Sequence, residues 1–191
     1  MNNWNSVANT VQFNLEISTK DLMDHAPIGS NILDFGCGYG RISNQLYSLG
    51  YRKIVGVDSS EKMINRGSFD FPHLDLRFSN ADTLPFPDAK FDVVFTCAVF
   101  TCIDQLEKRQ RIFDELVRVT KPNGIIYIAE FSSPQSSKFL SGQGVPMWHS
   151  SHHELEELAS NLVIELSRLT DTNTMTGHKS SASHIIARKT I

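Results

Sequence analysis

The segment ILDFGCGYGR (32–41) places glycine at three alternate positions, Gly36, Gly38 and Gly40, just after an apolar run that ends in an acid, Asp34. Glycine lets backbone approach a ligand with no Cβ in the way. A strand, a glycine-rich turn and a helix start together cradle a phosphate or nucleotide in many α/β folds. The next apolar run, KIVGVD (53–58), also closes on an acid, Asp58. At that point a carboxylate can accept two hydrogen bonds from a ribose diol, or it can simply cap the helix that opens in SSEKM. Asp34 could orient the glycine turn through backbone N–H groups or face a cationic part of a ligand. The spacing excludes two common cradles. Counted from Gly36, a dinucleotide G-x-G-x-x-G fingerprint needs its last glycine at position 41, which is Arg41, and no G-x-x-x-x-G-K-[ST] occurs.

These residues need a scaffold of buried strands. Short β-branched and aromatic runs recur at NILDF (31–35), KIVGVD (53–58), LDLRFSN (74–80), FDVVFTC (91–97) and GIIYIAEF (124–131). Between them, residues 40–49 carry Ile42, Leu46 and Leu49 at helical spacing, with Gly50 as a stop signal. Residues 105–119 place Leu106, Ile112, Phe113, Leu116 and Val117 on one predicted face, and Lys121-Pro122-Asn123-Gly124 reads as a turn into the next strand. Ser151 and Glu154 form a capping-box pattern ahead of a stripe of Leu155, Leu158 and Leu162. LVIELSRLTD and SASHIIARK are joined by a connection too short for a crossover helix, so they should pair antiparallel. The expected fold is α/β: a Rossmann-like, mostly parallel seven-stranded sheet with helices on both faces, ending in an antiparallel hairpin.

The chain has 191 residues, 40% of them hydrophobic and 20% charged, which suits one domain over 1–191. Residues 1–29 read as an N-terminal helical cap, and residues 132–150, the least patterned stretch, as a candidate substrate lid loop. The net charge of −3 gives no basic field for nucleic acid or for an anionic membrane. The three cysteines, Cys37, Cys97 and Cys102, are odd in number and lack C-x-x-C spacing, which predicts reduced thiols, a cytoplasmic setting and no metal site. No basic region followed by an apolar stretch opens the chain, and the longest apolar run, 93–100, is too short to span a bilayer.

Taken in order, LDFGCGYGR, IVGVDSSEKMI, LPFPDAKFDVVF and RVTKPNGIIYI resemble the successive motifs of class I S-adenosylmethionine-dependent methyltransferases of the small type 11 kind, over about residues 30–130. The resemblance implies S-adenosyl-L-methionine as cofactor, S-adenosyl-L-homocysteine as its product and methyl transfer as the reaction. It places Asp34, Gly36, Cys37 and Gly38 near the methionine part, Asp58 on the ribose hydroxyls, and Ser59 and Met63 beside the adenine. Ala81 would offer its N–H to the ring, Asp82 is a nearby acid, and Cys97 would meet the methionine part. Asn80 stands where the family usually has an acid, so a bond to the adenine amino group would be made without charge. Thr101 and Cys102 stand where many relatives carry a histidine pair, so no histidine base is expected there.

Candidates for acceptor contact come from the irregular segments. Trp148 could wall an apolar acceptor or pin its loop onto the core. His149 is the one weak candidate for a catalytic base, with a solvated histidine as the plainer reading. Trp4, Cys102 and His178 complete the set, each with a packing or turn role as the alternative. The partner expected is a small-molecule methyl acceptor that presents an O, N, S or C atom, for a protein that is monomeric or homodimeric and binds neither nucleic acid nor membrane. A non-catalytic S-adenosylmethionine-binding accessory protein is the alternative.

Overall fold

A computed structural model describes residues 4–79, 83–142 and 144–190. Two short helices come first, α1 (Trp4–Val7) and α2 (Thr19–His25). Alternating units follow: β1 (Asn31–Phe35), α3 (Arg41–Ser48), β2 (Lys53–Asp58), α4 (Glu61–Asp70), β3 (Asp75–Phe78), β4 (Phe91–Cys97), α5 (Leu106–Val119) and β5 (Thr120–Ser132). The chain then forms β6 (Ser137–Leu140), β7 (Pro146–His149), α6 (His152–Leu158), β8 (Val163–Asn173) and β9 (Lys179–Arg188).

Seven strands form one sheet in the order β3-β2-β1-β4-β5-β9-β8. The β1–β2, β1–β4, β2–β3 and β4–β5 pairs are parallel, and β9 runs antiparallel to both β5 and β8. The expected fold class is therefore the observed one, with β9 the only reversed strand. Alternate residues of β1 explain its unbroken apolar run: Leu33 and Phe35 enter one buried cluster with Phe113, Leu116 and Leu155, and Ile32 enters the other with Leu22, Leu46 and Tyr127. Order reverses between β1 and β4, because the chain builds outward through β2 and β3 and then returns to the other side of β1. Such a switch point opens a crevice at the carboxyl ends of the strands. Asp34 pairs with Gly56 and Phe35 with both Val57 and Thr96, so the glycine turn emerges level with Asp58 and Cys97.

Several expectations need correction. Residues 132–150 are not a plain lid loop, since β6 and β7 pair there as a separate antiparallel hairpin and Ser132 bridges Ser150. Only residues 4–7 and 19–25 of the N-terminal cap are helical among the described residues. Residues 121–124 belong to β5 rather than to a turn, with an irregular register opposite Phe91–Val93 and Asn123 at φ +63°. Leu106 is 61% exposed, and its expected place on the buried face of α5 is taken by Arg109. That cation tolerates burial because its guanidinium donates to Ile103 O, Phe100 O, Trp148 O and Ser150 Oγ at 2.5–3.2 Å. The capping box forms as read: Ser151 Oγ accepts from Glu154 N and Glu154 Oε2 accepts from Ser151 N.

Candidate active site

The glycine turn is tightly packed at the positions where side chains would otherwise stand. Gly36, Gly38 and Gly40 have φ of +71°, +55° and +84°, in the left-handed region where a Cβ is penalised. A Cβ on Gly36 would lie 2.4 Å from Val99 Cγ2, and one on Gly38 would lie 2.9 Å from Phe13 Cε2. Asp58 braces the turn: its Oδ2 accepts from Gly38 N at 2.9 Å and its Oδ1 from Ser60 N at 2.7 Å. This is the loop-orienting role expected of Asp34, so that expectation is corrected. Asp34 points instead to the start of α3, where its Oδ2 accepts from Ser43 Oγ at 2.7 Å. Burial pushes the Asp34 carboxyl up to about 6 against that bond, and burial also raises Asp58.

A cavity of about 480 Å³ lies over the turn. Asp34, Gly36, Cys37, Gly38, Asp58, Ser59, Met63 and Cys97 all line it, as do Trp4 and Cys102 from the acceptor candidates. Asn80, Ala81 and Asp82 lie outside the described residues. Trp148, His149 and His178 do not line this cavity. Trp148 is held by Arg109, whose guanidinium carbon lies 3.6 Å from its ring centre, and it donates to Ser136 Oγ. It therefore pins the hairpin onto the core. His149 stacks on Phe131 at 5.4 Å and faces a separate polar cleft beside Ser133 and Lys179; burial lowers its pKa. His178 is exposed in the β8–β9 turn and its N–H donates to Thr174 Oγ1.

The structure adds site residues that sequence reasoning passed over. Phe13, Asn14 and Leu15 reach over the cavity from the N-terminal segment, and Arg41 reaches it from the first residue of α3. Arg41 donates to Leu15 O and Glu16 Oε1, yet its buried Nε has no partner; Asn14 Nδ2 donates to Asn173 O, while its buried Oδ1 has none. Glu130 is fully buried and accepts four bonds, from the N–H groups of Val99, Phe100 and Thr101 and from Thr101 Oγ1, at 2.7–3.1 Å. It fixes the short 3₁₀ turn (Phe100–Cys102) after β4, and it turns Thr101 inward, away from the cavity. The only signal for it in the sequence was an acid inside the apolar run IIYIAEF.

Comparison with known proteins decides the family. A family model described as "Methyltransferase domain" matches residues 33–128, half of the chain. The chain belongs to the methyltransferase-domain family. A solved S-adenosylmethionine-dependent methyltransferase from Methanosarcina mazei superposes with a TM-score of 0.83 at 25% identity, over 92% of this chain and 99% of that one. A demethylmenaquinone methyltransferase of Paenarthrobacter aurescens is 33% identical over 70% of this chain and 47% of its own length. A Burkholderia thailandensis 1,6-didemethyltoxoflavin-N1-methyltransferase, solved with 1,6-didemethyltoxoflavin and S-adenosylhomocysteine bound, shares the fold at a TM-score of 0.72 and 18% identity, over 90% of this chain and 76% of that one. The chain spans under half the length of the curated relatives it matches first.

The cofactor of this family is S-adenosyl-L-methionine, and the cavity's unpaired atoms fit it. An α-amino acid brings one anionic and one cationic group. The cavity wall holds one buried donor without an acceptor, Arg41 Nε, and one buried acceptor without a donor, Asn14 Oδ1. Buried polar groups are rarely left unpaired, and Arg41 and Asn14 bring to this wall a cation and an amide, the two kinds of group that a zwitterion needs.

Proposed function

We propose that this protein transfers a methyl group from S-adenosylmethionine to a small-molecule acceptor. The observation that carries the reading is the Gly36–Gly40 turn, braced by Asp58 on the floor of a cavity whose wall leaves Arg41 Nε and Asn14 Oδ1 unpaired. The bound cofactor supplies an activated methyl on a sulfonium, so the work left to the chain is positioning and exclusion of water. Gly36 and Gly38 let the main chain approach the methionine part, Arg41 holds the carboxylate, and Asn14 holds the ammonium. Asp58 keeps the turn in shape and offers its remaining lone pairs to the ribose, and Met63 walls the adenine. Val99 and Cys102, fixed through Glu130, bound the acceptor side. Among the described residues no histidine lines the cavity, and the Cys102 thiol, whose pKa burial raises, donates to Ala98 O. The acceptor therefore needs to arrive nucleophilic, or lose its proton to water or to a carboxylate of the cavity.

A small acceptor is supported by the cavity size and by relatives named for menaquinone and toxoflavin substrates. No described helix is long and apolar enough to cross a membrane. Cytoplasmic location, a single domain over 1–191, a monomer or homodimer and no nucleic-acid partner belong to the same reading. Calorimetric titration with S-adenosylhomocysteine and with 5′-methylthioadenosine tests it. Arg41→Met should weaken the first ligand about 10-fold or more, as for a lost bond to a charged group, and leave the second, which has no amino-acid part, unchanged. Failure of the wild type to bind S-adenosylhomocysteine would end the reading. Turnover of radiolabelled S-adenosylmethionine over a panel of thiols, phenols and amines would then separate an enzyme from a binding protein.

A further inference from the structure

The strand order divides the cavity sideways. Residues that follow β2 and β3 (Asp58, Ser59, Met63, Ser79) lie on one side of the β1 turn, and residues that follow β4 and β5 (Cys102, Ile103, Lys108, Val145, Met147) lie on the other. The first side carries the acid, Asp58. The second is apolar except for one cation. Four side chains with a full charge line the cavity among the described residues: Asp34, Arg41, Asp58 and Lys108. Asp34 accepts from Ser43, Asp58 from two backbone N–H groups, and Arg41 donates to Glu16 and to Leu15 O. The side chain of Lys108, half-buried in the first turn of α5, has no hydrogen bond or ion pair with any described residue. The acids nearest to it in sequence, Asp104 and Glu107, are both exposed and form no ion pair with it. The same cavity is lined beyond β4 and β5 by an aliphatic and thioether surface: Ile103, Val145, Pro146, Met147 and, from the β8–β9 turn, Met175.

We propose that this end of the cavity selects an amphipathic anion, with an apolar or aromatic body on the Val145–Met147 and Met175 surface and a carboxylate-type group on Lys108. The assignment rests on the methyltransferase reading of the same cavity. A half-buried lysine with no partner among the described residues, in a cavity whose wall is otherwise apolar at this end, favours a ligand that brings its own negative charge and little else that is polar. Thioether side chains adapt to flat or irregular apolar bodies.

The test uses 2-naphthoate and its neutral isostere 2-naphthamide as probes, titrated into the wild type saturated with S-adenosylhomocysteine and followed by calorimetry. The wild type should bind the carboxylate the more tightly, and Lys108→Met should lose about 10-fold or more of that affinity while the amide is unaffected. Lys108→Arg should recover most of it. Equal affinity for the two probes, binding of neither, or an unchanged naphthoate affinity in Lys108→Met would overturn the proposal. A loss of S-adenosylhomocysteine affinity in Lys108→Met would also overturn it, by giving the lysine to the cofactor's carboxylate. Failure of the wild type to bind S-adenosylhomocysteine is a different result, and it strikes the methyltransferase reading itself.

Discussion

Replacing Gly36 with alanine measures how tightly the turn is enclosed. Two costs add. Holding a residue with a Cβ at φ +71° costs about 1–2 kcal/mol. The new Cβ also lies 2.4 Å from Val99 Cγ2 and 3.2 Å from Cγ1, so the valine must retreat by about 1 Å to reach ordinary contact. It cannot move freely, because its N–H donates to Glu130 at 2.9 Å and the preceding Ala98 is itself at φ +56°. Overpacking of this kind costs about 1–3 kcal/mol. The sum, about 2–5 kcal/mol, should lower the melting temperature by roughly 4–20 °C for a chain of this length. Thermal and urea unfolding of Gly36→Ala, Val99→Ala and the double variant form a cycle. Val99→Ala should restore the overpacking part and leave the backbone strain. An unshifted midpoint in Gly36→Ala, or single changes that add within about 0.5 kcal/mol in the double variant, would refute the argument.

Other outcomes follow from the same geometry. Asp58→Ala should weaken S-adenosylhomocysteine binding by about 1–3 kcal/mol through release of the Gly38 N–H; an unchanged dissociation constant would remove Asp58 from the site. Burial raises Asp34 from 3.8 to about 6, so the folded state holds this proton more tightly than the unfolded chain. The stabilisation is full below about pH 4 and is lost as pH rises through about 6. Urea unfolding should therefore show Asp34→Asn gaining about 2–3 kcal/mol on the wild type between pH 4 and pH 8, and a constant difference would contradict the buried, raised carboxyl. Burial raises all three thiols, so Cys37, Cys97 and Cys102 should react slowly with 5,5′-dithiobis(2-nitrobenzoate) at pH 8 and fully once unfolded in guanidinium; rapid labelling of the native protein would show an open site.

By itself the sequence determined the elements and their chemistry. Strands buried on both faces must be continuously apolar, so β1, β2 and β4 were legible to the residue. Three glycines at alternate positions after a strand leave little choice but a turn with positive φ, and the capping box of α6 is written within four residues. Local signals of this kind depend only on neighbours in the chain. Tertiary structure alone decided which atoms meet across it. Asp34 and Asp58 look equivalent as strand-ending acids, yet only Asp58 faces the glycine turn, because parallel pairing sets the end of β2 level with that turn, while Asp34 falls on the side of Ser43. Arg109 looks like a solvent residue of α5 until the hairpin of β6 and β7 brings the carbonyl and ring of Trp148 over it. Arg41, Asn14 and Glu130 gained their roles in the same way. A polar side chain's function is set by which groups the fold leaves opposite it, and those groups are up to 31 residues away for Glu130 and 159 for Asn14.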